Sequence, residues 1–446
     1  MLPQARAGIR VALEAHAFGR VLGYSRPMCD ALVAIGRNTR DGTTLFAQNS
    51  DRSVAEPQSL VQFPAAYHPL GARVECTHIA IPQVAETYRV MGHAPDWVWG
   101  FEQGVNEHAV AIGKQRVSTK QPVEEQIGLV GMDLVRLGLE RGRDAREALE
   151  VIATLIEQHG QGGPDRDPDD AGSSNAFLLA DPDQAWQMET SGRCWAARRV
   201  DLAAQSNHLT LSSNWSIGSR DLESVARLQG WWSGPDRLDM SSAYRLPDAA
   251  DSGSDARHTR SCDLLNSGRG KHDCASFIEA LRDHGREGQG PTIKGEQGSL
   301  CVHDELMVTT AASLVVALPS DRSRPWATWA SFGVPCLGLF LPVYLEGVIP
   351  ASLAAPMTSH SVWGAFMALR EAMEADGWQS WPVVRSRFDQ WSERLEEQRT
   401  RIEREASTLK ESEEDVEAAA ILSAFMKTTA DQAFEMAVSE TERIRL

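Results

Sequence analysis

From residue 28 onward the chain alternates apolar runs of strand length with short polar turns. Ala31, Leu32, Val33, Ala34 and Ile35 form one run and residues 43–48 another, separated by a polar loop that ends in Asp41-Gly42. Asp-Gly between two such runs is a strong hairpin signal, because both residues tolerate the positive φ of a tight turn. Closing this hairpin predicts that Asn49, Ser50, Asp51 and Arg52 return beside the start of the first strand, where Cys29 follows Met28. CTHIAIP (76–82) and TYRVMGH (87–93) read as a second strand pair, and DWVWGFEQ (96–103) with HAVAIGKQ (108–115) as a third around a turn at 104–107. Repeated hairpins predict antiparallel sheet.

The period then lengthens. Leu134, Val135, Leu137 and Leu139 carry helical spacing over 132–141, interrupted by Gly142-Arg143. Asp144 followed by Glu147 has the form of a capping box for a second helix, which runs through Ala148, Leu149, Ile152, Leu155 and Ile156 to a stop at His159-Gly160. These two helices are expected to layer on one sheet face. Residues 162–174, rich in Gly, Pro and Asp, form a polar loop. NAFLLAD (175–181), QAWQMET (184–190), RCWAARRV (193–200) and HLTLSSN (208–214) read as a second group of strands. From about residue 361 the sequence is helix-forming, Gly-poor and dense in alternating charge, with Trp391, Leu395, Gln398 and Ile402 on one stripe. Such a region either packs across the preceding domain or joins copies into a homo-oligomer; no coiled coil is sustained over many heptads.

Composition narrows the function classes. The chain has 446 residues, and 44 Lys plus Arg against 61 Asp plus Glu give a net charge of −17. That surface argues against nucleic acid or an anionic membrane as the main partner. No window approaches the roughly 20 apolar residues of a membrane span; the longest stretch, around 337–348, is broken by Gly338, Pro342 and Glu346. Seven cysteines, at 29, 76, 194, 262, 274, 301 and 336, include no CxxC pair. A reducing, cytoplasmic compartment fits that usage better than a disulfide framework or a zinc ribbon.

Cys29 becomes chemically distinctive if the mature chain begins there. A free α-amine, with a pKa of about 7.7–8.0, and a thiol near 8.5 would then share one residue, a nucleophile with its own base. The ammonium form also favours the neighbouring thiolate. The alternative is a buried strand cysteine. Residues 1–28 hold Arg6, Arg10, Arg20 and Arg26 with only Glu14 acidic, and they lack the apolar core of a secretory signal. They read as a misassigned start first, a propeptide second, or a targeting leader.

MCDALVA, then the turn and FAQNSDR, resembles the opening of the secernin and dipeptidase-A family of N-terminal-nucleophile (Ntn) cysteine hydrolases, which read close to CDTLVA and GKNSDR. The likeness continues through GFEQGVNEHAVAIG (100–113), LSSNWSIG (211–218), LRDHG (281–285), SLCVH (299–303) and FGVPCLGLFLPVYLEG (332–347), over most of 28–360. It implies an α+β fold: a four-layer αββα sandwich over 29–360 with the nucleophile at the start of a central strand, followed by a C-terminal helical region, 361–446. It also implies amide-bond hydrolysis. Cys29 is then the nucleophile, and Asn214 matches the asparagine that donates to the oxyanion in the wider superfamily; otherwise it caps a turn. Asp51, with Asn49, is the candidate to orient the Cys29 amine or thiol, against the reading that Asn-Ser-Asp is a polar turn. Arg52 follows the aspartate where the bile-salt hydrolase branch has an arginine before it, which leaves its role as a substrate ligand open. Arg260 resembles a second active-site arginine suited to a substrate carboxylate, with a solvated arginine as the alternative.

His93, His108, His284 and His303 show no HExxH and no metal-ligand spacing, so no metal is expected, although alternation puts Cys301 and His303 on one strand face. No phosphate loop or other cofactor signature is present. The expected activity is a cysteine dipeptidase that cleaves short peptides without a cofactor. The alternatives are a hydrolase of non-peptide N-acyl amides, or a secernin-like interaction protein that catalyses nothing.

Overall fold

The Asp41-Gly42 turn closes as its chemistry predicts, joining β1 (Met28–Gly36) to β2 (Gly42–Ser53). Gly36 and Gly42 take φ of 53° and 86°, left-handed values that cost a Cβ-bearing residue energy. The register sets Cys29 opposite Ser50, Asp30 opposite Asn49 and Met28 opposite Asp51. The computed structural model describes residues 28–54, 56–122, 127–164, 172–246, 252–285, 298–303 and 308–446. Of the 1–28 segment only Met28 falls within them, and most of the 162–174 loop lies outside.

The hairpin is the centre of one of two large sheets, both antiparallel throughout. In the six-stranded sheet the order is Leu202–Gln205, β1, β2, Val308–Leu318, Thr328–Phe332 and Leu341–Val343. The eight-stranded sheet runs Ile217–Gly218, Cys194–Val200, Ala185–Ser191, Ser174–Ala180, Ala111–Val117, Gln103–Asn106, Val90–Pro95 and Gln58–Phe63. Strand alternation divides the apolar residues between cores. Ala31, Val33 and Phe46 share one cluster with Met91, Val105, Leu178 and Ala180 of the second sheet. Leu32, Ala34, Leu45 and Ala47 face the other way, against Leu265, Phe277 and Leu281 of the helices Ser252–Ser267 and Cys274–Leu281. On the far side of the eight-stranded sheet, Ile112, Phe177 and Leu179 meet α1 (Gly131–Arg141) and α2 (Ala145–His159) through Leu134, Leu137, Leu149 and Ile152. Each such aliphatic or aromatic side chain contributes roughly 1.5–3 kcal/mol by leaving water.

Local signals explain the element ends. Asp144 accepts the Glu147 N–H at 2.8 Å, capping α2 where the sequence places a cap. Gly160 terminates it at φ 72°. The C-terminal helices Val362–Ala375, Trp381–Glu411 and Asp415–Arg445 pack across the sheets: Phe388, Leu395, Leu422 and Met426 join the cluster that holds Leu314, Leu341 and Tyr344. Of the expected stripe, Trp391 and Leu395 are buried, Ile402 is half-buried and the polar Gln398 is exposed. Tyr344 donates its hydroxyl to Glu403 at 3.1 Å. No helix among the described residues is long and apolar enough to cross a membrane.

Three strand expectations fail, the first being 96–103: residues 96–102 form no strand, and Gln103–Asn106, where a turn is expected, is the strand that pairs with Ala111–Val117. Residues 76–82 and 87–93 do not pair with each other: Ala80–Pro82 pairs with Arg73–Glu75, and Val90–Pro95 lies between Gln58–Phe63 and Gln103–Asn106. Residues 208–214 are irregular, because side chains take the backbone groups a ladder would use. The Glu189 carboxylate accepts the Thr210 and Leu211 N–H groups at 2.7 and 3.0 Å, and Gln205 Nε2 donates to the His208 carbonyl at 2.9 Å.

Candidate active site around Cys29

Cys29 is the second residue of a central strand whose pairing with Leu202–Gln205 begins only at Ala31, so its nitrogen lies outside that ladder and meets a side chain. That N–H donates to Asn207 Oδ1 at 2.8 Å. Asn207 follows the Leu202–Gln205 strand, β1's other neighbour, and is held on three sides. Its own N–H donates to Ser254 Oγ at 2.9 Å, its Nδ2 to the Arg116 carbonyl at 3.0 Å, and its Oδ1 also accepts Arg257 Nη2 at 2.9 Å. The same guanidinium donates through Nε to Asp30 Oδ2 at 2.7 Å and reaches Met28 Sδ at 3.1 Å through Nη1. Ser206 Oγ donates to the other Asp30 oxygen.

Asp51 lies across from Met28, fully buried, with one oxygen accepting the Thr310 hydroxyl at 2.7 Å. Burial, then the nearby Asp30 charge, pushes its carboxyl up to about 8, against the pull of Arg257 and the Thr310 hydrogen bond. The Cys29 thiol is 3.9 Å from Glu102 Oε2. Glu102 is itself buried between Arg52 at 3.2 Å and Lys114 at 3.3 Å, with Arg52 also 2.8 Å from Glu56. Burial pushes the thiol pKa far up, the Glu102 charge adds to this, and Lys114 opposes it. With Met28 still attached, Cys29 is therefore a neutral thiol, which is a poor nucleophile.

The structure brings Cys29 and Asp51 to one sheet end but moves other roles. Asn214 is exposed in a turn and does not reach Cys29; Asn207, seven residues earlier, is the asparagine that does. Arg260 is held by Asp283 through two bonds of 2.9 and 2.6 Å, whereas Arg257, about one helical turn earlier, faces the site. Asn49 points to the opposite face of β2, where Nδ2 donates to the Leu281 and Leu300 carbonyls at 2.9 and 2.8 Å and Oδ1 accepts from Ser313 at 2.6 Å. It braces loops behind the strand. Arg52 is engaged by Glu56 and Glu102. Glu102 and Lys114, inside blocks already noted in the sequence, and Asp30, the residue after Cys29, are further site residues that sequence reasoning passed over. A small cleft lined by Trp97, Lys114, Arg116, Gly131, Gly163 and Asn175 adjoins them.

Residues 28–224 match the sequence model of Peptidase family C69. This is the dipeptidase-A and secernin family that the opening motif resembles, and the match supports a hydrolase reading of the region. Among solved structures, the chain is similar to a mutant of conjugated bile acid hydrolase from Clostridium perfringens, at 12% identity over 68% of this chain and 89% of that one, with a TM-score of 0.40. A second variant of the same enzyme matches at 13% identity over 68% and 89%, TM-score 0.41. A Caenorhabditis elegans N-acylethanolamine-hydrolyzing acid amidase ortholog matches at 11% over 66% and 95%, TM-score 0.34.

The C69 match begins at Met28, the residue before the candidate nucleophile, and covers Asp51, Glu102, Lys114 and Asn207. Arg257 lies beyond it. So does a second group, His284, Cys301, His303 and Cys336, whose ligand atoms all lie within 4.8 Å of one another. The expectation that no residues stand at metal-ligand spacing is therefore corrected: the spacing is created by three separate loops.

Proposed function

We propose that this protein is an N-terminal-nucleophile cysteine hydrolase of short peptides, dipeptides above all, which becomes active when the chain begins at Cys29. The observation that carries the reading is the Cys29 nitrogen, held at 2.8 Å by Asn207, whose Oδ1 also accepts from Arg257, the partner of Asp30, with the buried Asp51 carboxyl at the same sheet end. A peptide nitrogen has no use for two buried carboxylates. A protonated α-amine does, and its positive charge beside the sulfur would offset the burial that keeps the thiol neutral.

In the proposed cycle the neutral α-amine takes the thiol proton, and the Cys29 thiolate attacks the scissile carbonyl carbon. The carbonyl oxygen gains the negative charge. Asn207 Nδ2 has one hydrogen on the Arg116 carbonyl and a second left to donate to that oxyanion. The α-ammonium returns the proton to the leaving amine as the C–N bond breaks, which leaves a thioester. Water, deprotonated by the same amine, hydrolyses the thioester and restores the thiol. Lys114 and Arg116 line the adjoining cleft, and positive charge there suits the carboxylate end of a small peptide. The sheets and their flanking helices are read as the four-layer αββα sandwich of such hydrolases, with 361–446 as a helical addition. All seven cysteines are free, which fits a reducing, cytoplasmic setting.

The test compares the full chain with one translated from Met28, in which methionine removal exposes Cys29, as intact mass verifies. A panel of dipeptides and acyl amides is hydrolysed by the Cys29-initiated form, is left intact by its Cys29→Ala variant, and is left intact by the full chain. Turnover that survives Cys29→Ala refutes the proposal.

A further inference from the structure

Four side chains that this chemistry does not use meet at a single point. His284 follows the Cys274–Leu281 helix, Cys301 and His303 flank Val302, and Cys336 lies in the turn between Thr328–Phe332 and Leu341–Val343. His303 Nε2 is 3.3 Å from His284 Nε2, 3.2 Å from Cys301 Sγ and 3.3 Å from Cys336 Sγ. A ring nitrogen carries one hydrogen or one lone pair, so hydrogen bonding satisfies one of these three contacts and leaves two as bare approaches of polar atoms.

A metal ion satisfies all of them at once. In a tetrahedral site with metal–nitrogen distances of about 2.0–2.1 Å and metal–sulfur of about 2.3 Å, the N···N edge is about 3.3 Å and the N···S edge about 3.6 Å. The observed N···N edge already has that length, and the N···S edges are a few tenths of an ångström short of it. We propose that His284, Cys301, His303 and Cys336 bind a single Zn²⁺ ion in a closed structural site. Two sulfurs and two imidazole nitrogens suit zinc and exclude calcium or magnesium, which take oxygen ligands. Four protein ligands leave no open position for catalysis. Binding releases both thiol protons to solvent, and the two thiolates neutralise the dication inside a site where Cys301, His303 and Cys336 are all buried.

The surroundings show what such an ion would fasten. The Asp283 carbonyl accepts the Leu300 and Cys301 N–H groups, each at 3.0 Å. Arg385, near the start of a long C-terminal helix, donates to the Cys336 carbonyl at 3.3 Å, and the Trp378 ring stands edge-on to His303 at 4.8 Å. Leu281 and Leu300 supply the carbonyls that hold Asn49 on β2, beside the residue paired with Cys29. The ion would thus tie three loops and the C-terminal helices to the back of the nucleophile-bearing hairpin. A cavity of about 500 Å³, lined by Arg260, Asp283, His284, Cys336, Trp381 and Arg385, adjoins it and offers a route for the ion.

Elemental analysis of the untagged full chain, after dialysis against metal-free buffer, is expected to give one zinc per chain. Cys336→Ser and Cys301→Ser each lower it to a small fraction, and Cys29→Ala leaves it unchanged. Co²⁺ exchanged into the wild-type protein gives thiolate-to-cobalt charge transfer and the intense visible bands of a tetrahedral site. A wild-type protein that holds no stoichiometric zinc, with Cys301 and Cys336 found as free thiols or as a disulfide, overturns the proposal without recourse to any variant. So does a zinc content that falls in Cys29→Ala.

Discussion

The carboxyl of Asp51 is the most sensitive probe of the site, and Asp51→Asn is the substitution that reads it. In the full chain Asp51 is fully buried, Arg257 is bonded to Asp30 instead, and Oδ2 has no hydrogen-bond partner among the described residues. The proton therefore stays on this carboxyl up to about pH 8, whereas the unfolded chain releases it near the ordinary value of 3.8. Between those two values the folded state holds one more proton than the unfolded state, so stability falls as pH rises through the window and levels off above it. One pKa unit is worth about 1–2 kcal/mol, so this group alone removes about 3 kcal/mol between pH 5 and pH 7. Asn has the same shape, still accepts the Thr310 hydroxyl and does not titrate. Urea unfolding at pH 5, 6, 7 and 8 should show the variant gaining steadily on the wild type up to pH 8. Parallel profiles would refute the assignment of a proton to Asp51. Translation from Met28 supplies the second arm: an α-ammonium on the Cys29 nitrogen lowers the Asp51 pKa, and the difference between the two profiles shrinks.

Asn207→Ala in the Cys29-initiated form should lower kcat about 10²–10³-fold, the usual cost of an oxyanion donor, while Asn214→Ala, on an exposed turn, leaves kcat unchanged. Equal effects of the two would send the oxyanion role elsewhere. Gly100→Ala should destabilise the fold by more than the 1–3 kcal/mol or so of ordinary overpacking, because its Cβ would sit 2.1 Å from the Met132 carbonyl carbon and oxygen, backbone atoms of α1 that cannot turn aside. An unchanged urea midpoint would show that the α1 contact yields.

The hairpin, α1 and α2 were legible because their signals are local. A turn dipeptide, a capping pair and a run of apolar residues each act within a few positions. The 208–214 segment was not, since Thr210 and Leu211 look like strand residues until the Glu189 carboxylate, from a different strand, takes their N–H groups. The same distance effect separated Asn207 from Asn214 and Arg257 from Arg260. Both members of each pair have the right chemistry, and only the placement of β1 between two neighbours decides which one meets Cys29. His284 and Cys336 carry no signal at all in their own surroundings. Their meeting with Cys301 and His303 is a property of three loop ends, of which alternation exposes just the Cys301–His303 pair.

Ala31 and Val33 on the inner face of the first strand share their apolar cluster with Met91, Val105, Leu178 and Ala180 of the second sheet. Ribosomes add roughly 5–20 residues per second, so the inner face of the first strand waits on the order of ten seconds for the second-sheet strands that cover it. During that interval the beginning of the polypeptide is accessible to trimming enzymes, and the sulfur is not yet enclosed. A chain released before its second sheet has been made displays a greasy strand face, the kind of surface that chaperones and degradation machinery retain. Birth order thus doubles as inspection: the residue with the most hazardous chemistry is sealed in only after Glu102 and Asn207 have arrived.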